Sequence, residues 1–513
     1  MAVAVAVRLP YLQLVPVISD EAFEVLAARG MIGGKFIWFG PFDPTTGPLV
    51  TWLLALAVWL FGSSAFLARA VTLVFGVLTV GLVYLLGRSL AAGRFHSTSA
   101  GRLAGAAAGL LLASNPVHTI VNSHIAWSNS ATPLFATATF LALHTAIRRG
   151  DGRLLVLGGF FYGLALQTHI SMLVVIPGLL IWFLARRNVL AWLRRPWPYL
   201  AVAAAALGYG NMIVYNIMSQ GGLLADAQLH TYAYEPNPGL ISYLNRLVDL
   251  LTNLGQTLGG QVPRVADPLA GLVVGVLAAW LLAGLVVMAW RGEALPLLVL
   301  VSTAAVMPYF NKRYDGLLSQ RYTAFLLPLC FAAMGVLAAE VVGLWHRAAP
   351  AVPEVRNRAR GAWRKAAVLA IALGLMLTVA VYPIRNTLTY YAGELRAGRD
   401  NRLTLAMTDY LETSLPPGTE LYVSSGLQDK AEGPGYRFLR AIYYYLTMEG
   451  VEHRILDLPD ISAALEAAPD SRVWLIVTAD DYWTLGRQFR LEPVTGGPPV
   501  PNGGYIASYV APN

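Results

Sequence analysis

The chain has 513 residues, of which 56% are hydrophobic and only 13% are charged, and its mean hydropathy is +0.55. A soluble chain carries about 25% charged residues, so this composition excludes an ordinary soluble domain. The net charge of +8 comes from basic residues in short segments between apolar runs. That pattern indicates membrane topology and excludes a nucleic-acid partner. The single cysteine, Cys330, excludes an intrachain disulfide.

Apolar runs close to the ~20 residues that cross a bilayer recur along the chain. They predict a mostly α-helical, polytopic transmembrane bundle of about eleven spans, the first of which ends near Ile18. The other predicted spans lie near residues 66–88, 103–121, 130–148, 154–170, 171–186, 196–218, 268–290, 294–309, 322–345 and 365–383.

The apolar stretch at residues 48–61 decides the predicted topology, because it is too short to cross the membrane comfortably. If it lies along the surface, the basic segments all fall on one side, which the positive-inside rule makes cytoplasmic. Those segments are residues 88–102, 148–153, 186–195 and 347–365. The segments 19–65, 115–129, 219–267 and 310–321 and the tail from Ile384 then face outward. This places a multi-pass protein in the plasma membrane.

The tail changes character at Ile384. Strand-like segments at residues 420–425, 451–456, 472–478 and 505–510 alternate with helical ones at 403–411 and 436–450. Such alternation predicts a small α/β domain outside the membrane. The predicted domains are therefore a transmembrane domain, residues 1–383, with its first outer loop at 19–65, and an extracytoplasmic α/β domain, residues 384–513.

An acid pair, Asp20-Glu21, follows the first apolar segment. Acids are costly near a bilayer, so a carboxylate pair where a span meets water suggests a general base shielded at a membrane surface. The plainer interpretation is helix-start chemistry, with Ser19 as the N-cap and the two acids in a first turn. Both interpretations stay open on the residues alone.

The predicted outer loop at 115–130 concentrates polar and aromatic side chains, among them His124, Trp127 and Asn129. They are candidates for contact with a substrate, or caps of helix ends with an interfacial tryptophan. His169, between two predicted spans, is a further candidate, with a histidine satisfied by the backbone as its alternative.

A metal site would need the loop histidines together with Asp20, Glu21 or Asp43, because the loop itself contains no acid. The spacing of its histidines matches no zinc pattern. We therefore predict no metal ligands, while a need for a divalent metal stays open.

Arg321-Tyr322 stands at the outer entry to a predicted span, with Lys312 nearby. Positive charge on the outer side is not explained by topology. An arginine fork binds phosphate bidentately, which predicts an anionic lipid headgroup as its partner. Simple anchoring to membrane phospholipid is the alternative.

Four segments together resemble a known family. They are RLPYLQLVPVISDEAFEVLAARG (8–30), SNPVHTIVNSHIAWSNSATPLF (114–135), GLALQTHISMLVVIP (163–177) and QRYTAFLLP (320–328). Their order resembles the GT-C fold glycosyltransferases, in the bacterial family 39 branch of protein O-mannosyltransferase and aminoarabinose-transferase type.

The resemblance implies an integral membrane enzyme that moves a sugar from a polyprenyl-phosphate donor to an extracytoplasmic acceptor. By position, Asp20 matches the catalytic base, with Glu21 beside it, and Arg321 matches the arginine near the donor phosphate. His169 and the 118–129 loop fall where this branch lines its substrate cavity. Many relatives have an arginine where this chain has His124.

A single displacement at such a donor predicts inversion at the anomeric carbon. One competing class is a transporter or flippase of polyprenyl-linked glycans, for which paired inverted repeats and interrupted midplane helices are typical. Another is a non-catalytic protein of the same fold that acts in envelope assembly. The polar candidates lie at the predicted outer rim, which favours the transferase.

Overall fold

The computed structural model describes residues 1–37, 46–92, 98–221, 239–262, 267–312, 314, 319–348, 381–396, 401–427, 438–500 and 503–510. The chain packs as two compact units. The first unit comprises Met1–Pro10, Ile37–Val50 and Thr72–Tyr390, and the second comprises Tyr11–Phe36, Thr51–Val71 and Tyr391–Asn513. The division predicted at residue 384, which rests on membrane placement, stays a prediction.

Helices dominate the described part of the chain. Up to residue 218 they are α1 (Ala2–Arg8), α2 (Ser19–Ile32), α3 (Leu49–Phe61), α4 (Ala65–Ala92), α5 (Thr98–Ser114), α6 (Pro116–Ser123), α7 (Thr132–Arg149), α8 (Gly152–Thr168), α9 (Ile176–Leu184), α10 (Val189–Leu193), α11 (Trp197–Gly208) and α12 (Gly210–Met218). They continue with α13 (Leu240–Leu258), α14 (Ala270–Trp290), α15 (Leu295–Phe310), α16 (Arg321–Ala324), α17 (Leu327–Ala348), α18 (Tyr382–Arg396) and α19 (Arg402–Ser414).

Helix length and hydropathy support membrane crossing at several of the predicted places. Among the described residues, three helical segments are long and apolar enough to span a bilayer: Ala65–Ala92, Ser128–Arg149 and Ala270–Trp290. The number rises to five if each of two bent helix pairs is one span. The predicted count of about eleven is therefore not confirmed, and most of the predicted span at 365–383 lies outside the described residues.

The predicted first span, ending near Ile18, is wrong. α1 ends at Arg8, and the chain does not become helical again before Ser19. Pro10 has no amide hydrogen to continue the helix, and Tyr11 adopts a left-handed conformation with φ 64°. α3 has 13 residues, so it covers about 20 Å. That is less than the ~30 Å of a hydrocarbon core, as the sequence predicts for this stretch.

Two predicted spans are broken rather than straight. α5 and α6 meet at an angle of 65°, and α11 and α12 meet at 66°. At the first break, the Asn115 side chain accepts a hydrogen bond from the His118 amide, and Pro116 occupies the first turn of α6. An N-cap followed by proline starts a new helix in a new direction.

Small residues bring helices of the first unit into close contact. Gly159 on α8 faces the Ala201 backbone of α11, and Gly335 on α17 faces the Ala104 backbone of α5; neither glycine has room for a β-carbon. Close backbone approach at small residues is typical of helix packing in membranes. The buried core around these helices includes Leu112, Phe140 and Phe331.

The second unit contains a five-stranded sheet. Its elements are β1 (Glu420–Ser424), α20 (Phe438–Met448), β2 (Arg454–Leu456), α21 (Leu458–Ala467), β3 (Val473–Val477), α22 (Ala479–Leu485), β4 (Leu491–Pro493) and β5 (Tyr505–Tyr509). The strand order is β2-β1-β3-β5-β4.

The pairing in this sheet is mixed. β1 pairs in parallel with β2 and with β3, and β5 pairs antiparallel with β3 and β4. Leu421 lies opposite Trp474, and Ile476 lies opposite Ile506. The strands predicted near residues 420, 451, 472 and 505 are confirmed, and β4 is a strand that the pattern did not predict.

Candidate functional site

In the first unit, the Arg321 guanidinium lies between two aromatic rings. Its central carbon is 4.8 Å from the ring centroids of both Trp127 and Tyr322. One of its nitrogens donates to the Tyr322 hydroxyl at 3.0 Å. The His169 ring meets the Tyr322 ring edge-on, with centroids 5.4 Å apart. The structure thus brings together four residues that the sequence singled out in three separate segments.

Helix α13 holds the short helix that carries Arg321. The Asn253 amide donates to the Tyr314 carbonyl at 2.8 Å, and its oxygen accepts from the Thr323 hydroxyl at 2.7 Å. The Thr257 hydroxyl is 3.1 Å from that of Thr323. Asn253, Thr257 and Thr323 are all buried, so these hydrogen bonds form without competition from bulk water and fix the base of α16.

The predicted outer loop at 115–130 is folded and buried. Every residue from 111 to 133 is buried, and the segment forms α6 and a short 3-10 helix at Ser128–Ala131. The Asn115 amide donates to the Thr257 carbonyl at 2.9 Å, so α13 braces this segment as well as α16. Trp127 is fixed in turn, because its indole N–H donates to the Val121 carbonyl at 3.0 Å.

Arg8, the last residue of α1, is fully buried and holds the 115–131 segment through its side chain. Its guanidinium donates to the Ser123 hydroxyl at 3.1 Å and to His118 Nδ1 at 2.8 Å. It also donates to the carbonyls of Leu112 and Ala113 in the last turn of α5. Those carbonyls carry the negative end of the helix dipole, which compensates part of the buried charge.

The remaining predicted site residues of the first unit are placed as follows. His124 Nε2 lies 2.5 Å from the Arg8 carbonyl, and the Asn129 carbonyl accepts from the Asn122 amide. The first contact joins the segment to the end of α1, and the second lies within the segment. Lys312 is exposed, and its action beside Arg321 stays a prediction. Asp43 lies outside the described residues.

In the second unit, the two acids of the Asp20-Glu21 pair have different environments. Glu21 is fully buried, and its two oxygens accept from Arg69 Nε and Nη2 at 2.7 and 2.8 Å. Asp20 is exposed in the first turn of α2. Glu21 therefore neutralises a buried cation, whereas the Asp20 carboxylate faces solvent.

The start of α2 departs from the predicted cap. Ser19 is the first helical residue, Ile18 is the N-cap, and no side chain caps the helix. The Ser19 hydroxyl instead accepts a hydrogen bond from Arg440 of α20, whose guanidinium lies 5.6 Å from the centre of the Phe23 ring. The prediction that Ser19 caps the helix is thus wrong, and α20 contacts the turn that carries Asp20.

The chain that leads into α2 is anchored by two side chains. Arg69 Nη1 donates to the carbonyls of Leu12 and Val15 at 2.9 and 2.8 Å. The Asn401 amide donates to the carbonyls of Gln13 and Val15. Irregular backbone needs such partners, because a buried carbonyl without one is costly. These contacts fix the backbone that leads into α2, whose first turn carries Asp20.

Sequence reasoning missed Arg8, Arg69 and Asn253, which position the candidate residues. A signal existed for the two arginines, because each is an ionisable residue inside or beside an apolar run. Asn253 gave no comparable signal in an amphipathic helix. Among the described residues, no group of three or more His, Cys, Asp or Glu side chains is arranged to hold a metal ion.

A comparison with protein-family models matches one segment of the chain, which contains part of the candidate site. A family model described as dolichyl-phosphate-mannose-protein mannosyltransferase matches residues 44–212. This range includes Trp127 and His169 and excludes Asp20 and Arg321. No curated protein matches the chain.

Among solved structures, the chain is similar to ArnT from Cupriavidus metallidurans, in the apo state and bound to undecaprenyl phosphate, with TM-scores of 0.57 and 0.56. Each alignment has 16% identity and covers 99% of this chain and 97% of the other.

Proposed function

The chain is a GT-C fold protein similar to protein mannosyltransferases and to ArnT, and on that premise we propose that it transfers a sugar from a polyprenyl-phosphate carrier to an extracytoplasmic acceptor. The resemblance stated from the sequence is thereby confirmed. Membrane localisation follows from the family segment and the apolar helices. The extracytoplasmic acceptor, the inversion at the anomeric carbon and the roles of the catalytic residues are what we propose beyond the fold.

The proposal rests on one observation: the Arg321 guanidinium is held in place by the aromatic rings of Trp127 and Tyr322. Stacking on Trp127 and Tyr322 restricts its rotamers. An arginine fixed in this way can present paired N–H donors to a phosphate at little further cost in entropy. ArnT, which shares the fold, has been solved with undecaprenyl phosphate bound, and a phosphate of that kind matches the chemistry of this side chain.

The proposed reaction is a single displacement. The acceptor oxygen attacks the anomeric carbon, and its proton passes to the Asp20 carboxylate. The bond between that carbon and the phosphate oxygen breaks, and the electron pair leaves with the phosphate. Arg321, assisted by Lys312 and Tyr322, stabilises the charge that develops there. Attack opposite the leaving group inverts the anomeric carbon.

The two acids take different roles in this scheme. Asp20 is exposed, so an acceptor hydroxyl can approach its carboxylate from solvent. Glu21 is occupied by Arg69 and acts by holding α2 in place. His124, Trp127, Asn129 and His169 belong to the segments that support the donor side. No step of the scheme requires a metal. We assign Asp43, which follows in the same predicted outer loop as Asp20, to the substrate cavity as part of this proposal.

The test is sugar transfer in membrane vesicles that contain the protein, supplied with radiolabelled undecaprenyl-phosphate sugars and an envelope extract as acceptor. General-base help is worth about 10²–10⁴-fold, so Asp20→Asn is expected to lose activity by that factor. Its unfolding temperature should match that of the parent, because the side chain is exposed. The matched control is Asp470→Asn, an exposed acid of the same unit.

Two results would overturn the assignment. Near-parental transfer by Asp20→Asn removes Asp20 as the base. Movement of labelled donor across the vesicle membrane, with no release of free undecaprenyl phosphate, identifies a transporter instead. Mass spectrometry of the labelled product then identifies the acceptor class and the configuration of the new bond.

A further inference from the structure

A long groove runs along the surface of the first unit between α4, α7 and α8. Its volume is about 610 Å³, within the about 300–1,000 Å³ of small-molecule sites. Most of its lining is apolar, with Leu82, Phe135 and Leu157 as examples from the three helices. The groove is partly open. All three helices belong to predicted spans, so we expect its open part to face lipid.

One end of the groove is basic. Arg88 lies near the end of α4, and Arg148 and Arg149 are the last two residues of α7. The two helix ends are joined, because Arg148 Nη1 donates to the Ser89 carbonyl at 3.3 Å. The three arginines therefore gather at one end, and none of the described residues that line the groove is acidic.

The charge of these arginines is not neutralised by the described part of the chain. All three are exposed, and none takes part in an ion pair with a described residue. Other basic side chains of this unit differ: Arg186 and His144 both contact Glu293, at 2.9 and 3.3 Å. A ligand that matches this groove carries a negative charge beside the arginines and an apolar part along the rest of the lining.

The dimensions fit one leaflet of a bilayer. Leu134 precedes Arg148 on the same helix by a distance of about 21 Å along the axis. Half of a hydrocarbon core measures about 15 Å. An acyl chain that starts at the arginines can therefore lie along the groove over its full depth in the leaflet, whereas a free phosphate would leave the apolar part uncovered.

We propose that this groove binds an anionic phospholipid, with its headgroup on Arg88, Arg148 and Arg149 and an acyl chain along the leucines. The positive-inside rule places the basic end at the cytoplasmic leaflet, where anionic lipids supply the negative surface. Basic pockets between transmembrane helices on that side bind anionic headgroups. The site is separate from the sugar-transfer proposal and does not depend on it.

The experiment measures lipid retention by native mass spectrometry on the purified, delipidated full chain. We expect phosphatidylglycerol to be retained and phosphatidylcholine, with the same acyl chains, to be washed out. The double variant Arg88→Gln, Arg149→Gln should lower phosphatidylglycerol retention by about 30-fold, because it removes the attraction of two basic side chains to the anionic headgroup. Arg153→Gln is the matched control, since Arg153 is exposed on α8 but does not line the groove.

A second variant tests the apolar part without a change of charge. Leu157→Trp fills the groove from its exposed rim and should lower phosphatidylglycerol retention, while the unfolding temperature in detergent is unchanged. Equal retention of the two lipids by the parent, or parental retention by either variant, overturns the proposal. Displacement of phosphatidylglycerol by equimolar undecaprenyl phosphate also overturns it, in favour of the carrier lipid, and displacement by inorganic phosphate reduces the site to an anion contact.

Discussion

The Arg69 guanidinium donates hydrogen bonds to both carboxylate oxygens of Glu21, and both side chains are buried. Two parallel N–H donors on one carboxylate add both energy and geometric specificity to an ion pair. The same guanidinium supports the backbone at Leu12 and Val15. Glu21 is therefore part of the scaffold of the second unit, and its neighbour Asp20 is the acid that faces outward.

Removal of one partner of this ion pair is expected to destabilise the protein strongly. Glu21→Ala leaves the Arg69 charge buried without its counterion, and such a change costs about 3–5 kcal/mol. The unfolding temperature in detergent, or the yield of folded protein, should fall sharply. The measurement is thermal unfolding followed by intrinsic fluorescence.

The controls for that prediction use the same pair and its neighbour. Glu21→Ala combined with Arg69→Met removes both charges and should recover part of the lost stability, because no uncompensated charge remains. Asp20→Asn, which keeps the size of this exposed side chain, should lower the unfolding temperature far less than Glu21→Ala. Equal stability of Glu21→Ala and the parent would show that the ion pair contributes little.

The stacked guanidinium of Arg321 is expected to determine affinity for undecaprenyl phosphate. Arg321→Gln removes the charged donors, and hydrogen bonds to charged groups are worth about 1.5–3 kcal/mol, so affinity should fall by about 10- to 150-fold. Arg321→Lys keeps the charge but loses the planar stack and the paired donors, and should bind with intermediate affinity. The measurement is equilibrium binding of undecaprenyl phosphate to the purified protein.

Lys312→Gln is the comparison for that series. Lys312 is exposed, and exposed charges contribute about 0–1 kcal/mol, so its loss should weaken binding by at most about fivefold. Parental affinity in Arg321→Gln, or a larger effect of Lys312→Gln than of Arg321→Gln, would move the phosphate site away from Arg321.

Asn253 is expected to act on the donor site through the position of α16. Asn253→Ala leaves the Tyr314 carbonyl and the Thr323 hydroxyl without this partner, at a cost of about 1–3 kcal/mol in stability. Affinity for undecaprenyl phosphate should fall although Asn253 does not touch the ligand in the proposed scheme. Thermal unfolding and phosphate binding are measured on the same preparations.

Thr252→Ala, on an exposed position of the same helix, separates this effect from a general loss of helix stability. It should leave both readouts close to the parent. If Asn253→Ala loses stability but keeps parental affinity, its hydrogen bonds serve the fold alone and α16 does not depend on them for its position.

The sequence predicts elements well where one local pattern determines them. The strands near Leu421 and Val473 and the helix at Phe438–Met448 follow from alternation and periodicity. The breaks within α5–α6 and α11–α12 were missed, because hydropathy is similar on both sides of each bend. Asn115-Pro116 is a cap signal that could have located the first break.

The site was harder to predict because its partners are distant in the sequence. Arg8 meets Ser123 across 115 residues, and Thr323 meets Asn253 across 70. Spacing within a segment carries no information about such pairs. The residue types were recognisable as unusual for apolar surroundings, but which of them pair is decided by tertiary packing.

The stability of the second unit is expected to decrease as pH falls through the range in which histidine titrates, and His453 contributes to this. Burial and the charge of Arg29 lower the pKa of His453 below its usual 6.5, although a hydrogen bond to the Val451 carbonyl opposes the shift. Its Nε2 is buried and has no hydrogen-bond partner among the described residues, so a proton added there has no acceptor.

Below pH 6.5 the unfolded chain therefore binds this proton more readily than the folded chain, and stability present above pH 6.5 is lost as pH falls toward the folded pKa. The unfolding temperature of the parent should be lower at about pH 5.5 than at about pH 7.5. His453→Asn, which keeps an amide donor near the position of Nδ1, should show a smaller difference. Arg29→Gln should also reduce it, by removing the neighbouring charge. An identical pH difference in all three proteins would assign the effect to other groups.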